Sequence, residues 1–366
     1  MSQADYLVRL HDTDGSLKEV FDKLRKMTIN HKNNSISTMT LYLDGPDSRF
    51  AEFGLDNLLE VRRKVEGEDW YREYLGFHRT PQRQFTEGQA YIFTSYSRGL
   101  LDLVRRRSIL YKATTAHTLK GAAAETVIKE FVYENVGADA NDATRLVNGV
   151  TTGFTVDVNA ALGPTWSGQR SYKNVLEVIQ EIANDSHIYF DVIADDTDLD
   201  AFTFKTYYPV RGTDRRDTVI FSLDFGNMII PSYTYSRTEE ANVVAVLGPE
   251  QGTARRTLVV ESLAVGDSIW NRIEATYDAR QQQTLAALTS AGNEELEKLK
   301  AEEVFAFTIL QTDSLKYGRD YFLGDLVTAK FEEIERTMII NEVELDLDSE
   351  TGEENIKVGV ELYEDP

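Results

Sequence analysis

Side chains that commonly perform chemistry are sparse and scattered in this sequence. Cysteine is absent, which excludes disulfides, thiolate nucleophiles and cysteine-bound zinc. No two histidines are three or four residues apart, so the sequence contains no HExxH-type metal-binding face. His11 and Asp12 imitate a metal-dependent phosphohydrolase dipeptide, but they precede Asp14 and Gly15, a pattern that favours a turn. The five histidines are His11, His31, His78, His117 and His187.

Two acidic clusters offer the oxygen ligands that calcium prefers. Neither cluster has the glycine that an EF-hand loop needs at its sixth position, and both fall where a polar hairpin loop is expected. Solvated loops are therefore the preferred interpretation, and no metal site is predicted. The clusters are Asp195, Asp196, Asp198 and Asp200, and Asp346, Asp348, Glu350 and Glu353.

Catalytic and cofactor motifs are not recognisable elsewhere in the chain. GxSxG, P-loop and GxGxxG patterns do not occur, so no catalytic residue and no cofactor is predicted. The 61 acidic residues leave paired carboxylates for sugar hydrolysis open, because glycosidase geometry depends on distances in space. The 18 tyrosines and 17 phenylalanines suit a sugar-binding groove as well as a β-rich core. A carbohydrate-binding adhesin and a glycoside hydrolase therefore remain alternatives to a non-enzymatic assembly protein.

The charge balance argues against specific nucleic-acid binding. The formal net charge is -22, which repels phosphate backbones unless a local basic patch compensates. The best candidate patch is Arg105, Arg106 and Arg107, but no aromatic stacking platform surrounds it. We interpret this run as a possible protein interface. An acidic wall would still let DNA pass without holding it.

The sequence predicts neither a signal peptide nor a membrane anchor. Residues 1–10 lack a basic segment followed by a long apolar run. No stretch approaches the roughly 20 apolar residues that cross a bilayer.

Hydrophobic periodicity predicts a mainly β chain with an α+β insert. Residues 1–108 read as short strands separated by turns, as in a small barrel or sandwich. Residues 109–216 alternate helices and strands and form the predicted insert. Strand patterns return at 217–272, a helical arm follows at 273–304, and residues 305–366 are again β.

Three segments have clear helical spacing. Residues 119–136 place apolar residues on one face and end before Gly137. Residues 171–184 form a second amphipathic helix. Residues 279–302 form a third, in which Gly292 predicts a break.

Several segments, in order, resemble the tail-tip and baseplate hub family of tailed phages. The similarity is to the hub-like tail proteins of siphoviruses, which are related to contractile-tail hubs. Its most specific piece is YGRDYFLGDLV (317–327), in which Leu323-Gly324-Asp325-Leu326-Val327 resembles the start of the last barrel. The other pieces are SISTMTLYL (35–43), YSRGLLDLVRRRSI (96–109), AETVIKEFVYENVGA (124–138), YKNVLEVIQEIANDSHIYFDV (172–192) and IEATYDAR (273–280).

This resemblance implies two small tail-tube-like β-barrels with α+β and helical modules beside them. Barrel blocks would lie at 1–108 and at 217–272 with 305–366. It also implies a homotrimeric ring at the distal end of the virion tail, assembled in the host cytoplasm. Such a ring joins the sixfold tail tube to a threefold spike or fibre and lets DNA pass. Its expected partners are a distal tail or tail-tube protein, a tape-measure protein and a spike or fibre protein.

The resemblance also indicates a structural role for the LGDLV segment. We expect strand entry there, with Gly324 at a position where a Cβ atom would be crowded. We expect Asp325 to accept hydrogen bonds from nearby turn amides.

Overall fold

The computed structural model describes residues 4–85, 87–88, 90–111, 118–140, 145–146, 153–184, 186–196, 198–282, 284–349, 351 and 353–365. His117 and Glu350 lie outside the described residues. Within the described residues the chain is mainly β, as predicted, with 21 strands and four α-helices. None of the described helices has the length and apolar character needed to cross a membrane.

The strands before the third helix are β1 (Ala4–His11), β2 (Leu17–Phe21), β3 (Lys26–Lys32), β4 (Thr38–Asp44), β5 (Leu58–Val65), β6 (Tyr71–Phe85), β7 (Tyr91–Gly99), β8 (Leu119–Ala123), β9 (Phe154–Val156) and β10 (Thr165–Gln169). The remaining strands are β11 (Tyr189–Ala194), β12 (Phe202–Tyr207), β13 (Ile220–Ser222), β14 (Met228–Ser236), β15 (Val243–Leu247), β16 (Thr257–Glu261), β17 (Glu274–Asp278), β18 (Glu302–Ile309), β19 (Leu326–Phe331), β20 (Ile334–Asp348) and β21 (Glu353–Leu362). The helices are α1 (Asp102–Arg105), α2 (Ala124–Asn135), α3 (Val175–Asn184) and α4 (Leu285–Lys298).

Both predicted β blocks contribute to one 11-stranded sheet. Its strand order is β13-β19-β20-β3-β4-β7-β6-β5-β1-β2, with β21 also paired to β20. Strand β20 spans 15 residues and joins the blocks: its first half pairs with β19, and its second half pairs with β3. Among the described strands, no pairing joins β2 to β13 and closes this path. The sheet is thus continuous through β20. Of the predicted second barrel block, only β13 and β19–β21 belong to it, because β14 pairs with β18 and β15, β16 and β17 form a sheet of their own.

The chain forms two compact units. The first comprises Met1–Ile229 and Thr308–Pro366, and the second comprises Ile230–Phe307. In the first unit, α1, α2, α3 and strands β9, β11 and β12 share one apolar core. Leu58 and Phe77 of the N-terminal β block belong to this core. The predicted boundary at 108/109 therefore separates two types of secondary structure that share a core.

The second unit is small and has its own core. Strands β16, β15 and β17 form a sheet, and α4 packs on β15 and β16. The buried members of the core are Val244, Val246, Val260, Ala279, Leu288 and Ala291. In this region the predicted arm at 273–304 contains strand β17, helix α4 and the start of β18.

Gly292 does not break α4, so that expectation was wrong. A Cβ atom at Gly292 would lie 2.6 Å from Val246 Cγ2 and 2.7 Å from Val260 Cγ2. Glycine is needed because the helix approaches the sheet closely at this point. Residues 119–123 also differ from the predicted helix: they pair with β10 as strand β8 before α2 begins.

Candidate functional site

The structure groups few residues that could perform chemistry. Within the described part of the chain, no three histidine, aspartate or glutamate side chains are arranged to hold a metal ion. In the first acidic cluster, Asp196 pairs with Arg72 at 2.9 Å. In the second, Asp346 lies 3.8 Å from Lys26 Nζ. In each cluster, one carboxylate thus has a cationic partner on a strand.

His11 and Asp12 lie at the end of β1 and in the following turn. His11 Nδ1 lies 3.0 Å from the carbonyl oxygen of Gly15, and its Nε2 lies 3.4 Å from Glu60 Oε2. The Asp12 amide donates to Ser16 O at 2.8 Å. Both residues organise the β1–β2 turn.

The LGDLV segment lies where β19 begins. Leu326 and Val327 are buried in β19, and Leu323 is half-buried ahead of it. Leu326 N–H donates to Thr213 O at 3.0 Å, and Ile340 N–H on β20 donates to Asp325 O at 2.9 Å. The segment therefore connects residues 210–216 to strand β20.

Asp325 accepts hydrogen bonds from three donors at this joint. The residue is only 2% exposed. Its Oδ1 accepts the Thr213 N–H at 2.6 Å, and its Oδ2 accepts the Phe322 N–H at 2.9 Å and Arg215 Nε–H at 2.7 Å. A buried carboxylate is stable only with such partners, so Asp325 determines how the two backbone segments meet.

Two glycines allow the segments to approach. Gly324 has φ +89°, and a Cβ atom there would lie 2.8 Å from Arg211 Cβ. Opposite it, Gly212 N–H donates to Gly324 O at 3.0 Å. A Cβ atom at Gly212 would lie 2.3 Å from Asp325 Oδ1. A side chain at either glycine would push apart the two backbone segments, which are residues 210–216 and the LGDLV segment.

A second joint is centred on Arg63, which sequence reasoning did not select. The Arg63 side chain is 1% exposed and lies among strands from both β blocks. Its Nη2 donates to Glu354 Oε1 at 2.8 Å, its Nη1 donates to Tyr71 OH at 2.7 Å, and Nη1 also donates to Tyr317 O at 3.1 Å. Glu354 lies on β21, so the network ties β5 to the C-terminal block.

Glu73 is the second buried carboxylate of this network. Its Oε2 lies 4.0 Å from Arg63 Nη1, Tyr71 OH donates to it at 2.7 Å, and Tyr317 OH donates to Oε1 at 3.0 Å. Burial raises the pKa of Glu73, but the hydrogen bond from His31 and the charges of His31 and Arg63 outweigh this and lower it overall. The network thus keeps an ionised carboxylate inside the protein.

Alternation along β5 contains the signal that identifies Arg63. Leu59, Val61 and Val65 lie on the same buried face, and Arg63 occupies the remaining position of that row. Gly318 gives the guanidinium its space, because a Cβ atom there would lie 2.2 Å from Arg63 Nη1. Its partners Tyr317 and Glu354 are more than 250 residues away, and no local pattern predicts them.

The arginine run lies at α1 and after it. Arg105 Nε and Arg106 Nε each donate to the fully buried Asp102 at 2.7 Å. Arg106 also reaches Asp56 at 3.1 Å and lies over the Phe77 ring. The Arg105 side chain remains 44% exposed, whereas Arg107 is half-buried. Burial and the neighbouring Arg106 charge lower the pKa of Arg107.

Comparisons with known proteins agree on the class of protein. The sequence profile of the siphovirus ReqiPepy6 Gp37-like protein family matches residues 7–360. No protein of curated function matches the chain in sequence. The fold is similar to the tail protein from Neisseria meningitidis MC58, at 14% identity and TM-score 0.56, covering 97% of this chain and 96% of that chain.

Two further structures share the fold. One is the prophage MuSo2 43 kDa tail protein from Shewanella oneidensis, at 12% identity and TM-score 0.59, covering 98% of each chain. The other is a chain of the lidded Francisella PdpA-VgrG complex, at 11% identity and TM-score 0.54, covering 99% of this chain and 54% of that chain. The predicted relationship to siphovirus tail proteins is confirmed, and this chain belongs to the siphovirus ReqiPepy6 Gp37-like family of phage tail proteins.

Proposed function

We propose that the chain is the hub at the distal end of a phage tail or a phage-like injection machine. Three copies form a ring that joins the sixfold tail tube to a threefold spike or fibre. In each copy the two β blocks joined by β20 take the places of two tail-tube-like barrels. The ring contacts a distal tail or tail-tube protein, the tape-measure protein and the spike or fibre protein after assembly in the host cytoplasm.

One observation carries this proposal: the family match and the likeness to phage tail proteins both extend over nearly the whole chain. The continuous sheet supports it as well. Two β blocks held in one sheet by β20 give a rigid subunit that can occupy two adjacent positions of a ring. A family of structural tail proteins also favours a non-enzymatic role.

The edges of the large sheet provide surfaces for association. Among the described strands, β2 and β13 end the path, and β21 pairs only with β20. Open edges present unpaired backbone groups, which natural proteins cover or pair. Leu17 on β2 is 55% exposed, and Phe225 beyond β13 is 63% exposed. These edges support pairing between neighbouring copies in the ring.

The charge of the chain supports passage of DNA through the ring. Three copies at -22 each carry a large negative charge, which lowers adhesion of a phosphate backbone. Arg105 and Arg106 share the carboxylate of Asp102, which offsets part of their positive charge. We therefore place the run Arg105, Arg106 and Arg107 at a subunit or tube contact, away from the lumen.

Native mass spectrometry tests the oligomeric state. At high protein concentration we expect a homotrimer, because each copy has open sheet edges that a closed ring would cover. A strict monomer or dimer in solution, together with the same stoichiometry in assembled particles, would reject the ring.

A further inference from the structure

The loop between β16 and β17 in the second unit carries three large apolar residues that are almost fully exposed. Leu263, Ile269 and Trp270 are 99%, 89% and 86% exposed, and they lie within one stretch of eight residues. A single exposed apolar side chain is ordinary on a protein surface, but a group of large ones marks an interaction site. We call these three residues the knob.

Two buried asparagines hold this loop in one conformation. Asn271 directly follows Trp270, and its Nδ2 donates to Ala264 O across the loop. Asn242, at the start of β15, donates from Nδ2 to Asn271 O at 2.7 Å. The Oδ1 atom of Asn242 accepts the Ile273 N–H at 2.8 Å. The knob is therefore presented by a fixed backbone, which lowers the entropy cost of binding a partner.

The first unit contains an apolar pocket of about 440 Å³ between the turn after β13 and the turn that joins β19 to β20. Its apolar lining consists of Ile220, Leu223, Phe225 and Phe331. Leu223 and Phe225 are exposed, and Ile220 and Phe331 are half-buried, so all four can contact a group that enters the pocket. The volume falls within the roughly 300–1,000 Å³ of pockets that hold small molecules, which is enough for an indole ring.

The turn that forms one wall of this pocket is also held in place. Asn227 Oδ1 accepts the Ser222 N–H at 2.8 Å, and Asn227 Nδ2 donates to Ile220 O at 2.9 Å. The Phe225 N–H donates to Ser222 Oγ at 3.2 Å. The turn then ends at Gly226, which has φ +67°. Knob and pocket are thus both preformed, and they belong to different units of the chain.

We propose that the knob of one copy enters the pocket of a neighbouring copy, with Trp270 as its central anchor. This contact rests on the proposed ring and identifies the surfaces that form it. A contact between two different surfaces of the same chain is heterologous, and its repetition around a rotation axis closes a ring. Every knob is then covered and every pocket filled. Because one tryptophan buries only roughly 150–250 Å², the contact is the centre of a larger interface.

The charges beside the knob argue against a lipid surface as its partner. Arg272 pairs with Glu261 at 2.8 Å and with Glu274 at 2.7 Å, and Asp267 is exposed within the loop. Acidic residues therefore outnumber basic ones there. Segments that insert into a membrane surface instead carry lysines and arginines, which meet anionic lipids.

The rim of the pocket is acidic as well, since Asp224 and Glu332 outnumber Lys330. Two acidic surfaces can associate only if burial of apolar area outweighs their repulsion. Added salt should therefore strengthen the contact between copies, because it screens the like charges. A contact formed by ion pairs would weaken under the same conditions.

Crosslinking between copies tests the contact, and the absence of cysteine from the chain makes each introduced thiol unique. One chain carries Ile269→Cys, a second chain with a tag of different size carries Leu223→Cys, and the two are co-expressed and treated with a short bis-maleimide. We expect the crosslink between unlike chains to exceed those between like chains. Tyr133→Cys on α2, outside knob and pocket, replaces Leu223→Cys in the control and should give no such product.

Variants then measure how much the contact contributes to assembly. Trp270→Ser should raise the concentration at which half of the chain is trimeric at least about tenfold, without lowering the melting temperature, because the residue is exposed in the single copy. Leu285→Ser, at an exposed apolar position of α4 in the same unit, is the matched control and should assemble as the wild type does.

A pocket variant makes the test specific to the pair. Phe225→Ser should also weaken assembly, and the double variant with Trp270→Ser should lose little more than either single variant, because partners in one contact are not additive. Unchanged assembly of Trp270→Ser, or fully additive losses, would overturn the proposal.

Fluorescence separates failure of this contact from failure of the ring. With Trp70 and Trp166 replaced by phenylalanine, Trp270 is the only tryptophan, and its emission should shift to shorter wavelength as the trimer forms. A trimer with unshifted emission, or without the crosslink between unlike chains, would overturn the contact and leave the ring standing. If the wild type forms no trimer, the ring is rejected, and that crosslink would still support the contact in an assembly of another size.

Discussion

Arg63 and the run Arg105–Arg107 carry the same guanidinium group in two contrasting environments, one buried and one partly exposed. Arg63 is 1% exposed and bridges two buried carboxylates from distant parts of the chain. Arg105 is 44% exposed and contacts Asp102 three residues away. The run at 105–107 has mostly local contacts, whereas Arg63, which lies between Arg62 and Lys64 in the sequence, connects the two β blocks. The number of adjacent charges therefore says less about structural importance than the burial of each charge.

The largest effect is expected from Arg63→Met. This change leaves Glu73 and Glu354 buried without their cation, which should cost about 3–5 kcal/mol of unfolding free energy. Urea unfolding followed by tryptophan fluorescence measures it, in a Trp270→Phe background so that Trp70 and Trp166 report on the first unit. Arg105→Met is the matched control and should cost less than about 1 kcal/mol.

A double variant sharpens this comparison. Arg63→Met with Glu354→Leu removes both members of one buried pair, so it should recover part of the loss. Equal losses of unfolding free energy in Arg63→Met and Arg105→Met would show that burial does not determine how much each arginine stabilises the fold.

The next effect is expected at the Asp325 joint. Gly324→Val forces a branched side chain into φ +89° and against Arg211 Cβ, which should cost about 2–4 kcal/mol. Gly45→Val is the control. Gly45 has φ +76° and no atom within 4 Å of an added Cβ, so this variant has the backbone strain without a steric clash. Thermal unfolding compares them. A similar loss of stability in both variants would contradict the role that we assign to close packing at Gly324.

The smallest effect concerns pH and Glu60 on β5. Burial raises the pKa of Glu60, but hydrogen bonds from His11 and Arg72 and the charges of Arg62 and Arg72 outweigh it and lower the pKa to about 2. Because the folded-state pKa is depressed, ionised Glu60 stabilises the fold above about pH 4.5, and this contribution is lost as the pH falls towards 2.

Glu60→Gln should therefore flatten the acid side of the stability profile by up to about 3 kcal/mol. Urea unfolding between pH 2 and pH 7 measures this profile. Glu333→Gln, at an exposed position in the same unit, should keep the wild-type profile. An unchanged acid side in Glu60→Gln would contradict the assignment.

The sequence predicted the types of secondary structure better than the contacts between distant segments. The mainly β character and helix α3 follow from periodicity, since Val175, Val178, Ile179 and Ile182 form the apolar face that the core buries. Residues 119–123 were misassigned because pairing with β10 is a contact that local helical spacing does not contain. Gly292 was misread because a glycine that permits close packing has the same sequence signature as one that ends a helix.

The joints were only partly predictable. The LGDLV segment was selected because it resembles a known family, and Gly324 and Asp325 do meet the segment that contains Gly212 and Thr213. Their partners could not be read from the sequence, because these contacts are more than 100 residues apart.

Electron microscopy of assembled tails tests the central claim most directly. The account predicts three copies of this chain in a ring at the distal end, with more aspartate and glutamate than lysine and arginine facing the lumen. Arg105, Arg106 and Arg107 should face a subunit or tube contact. A chain located elsewhere in the particle, a ring with another number of copies, or a lumen lined by these three arginines would contradict it.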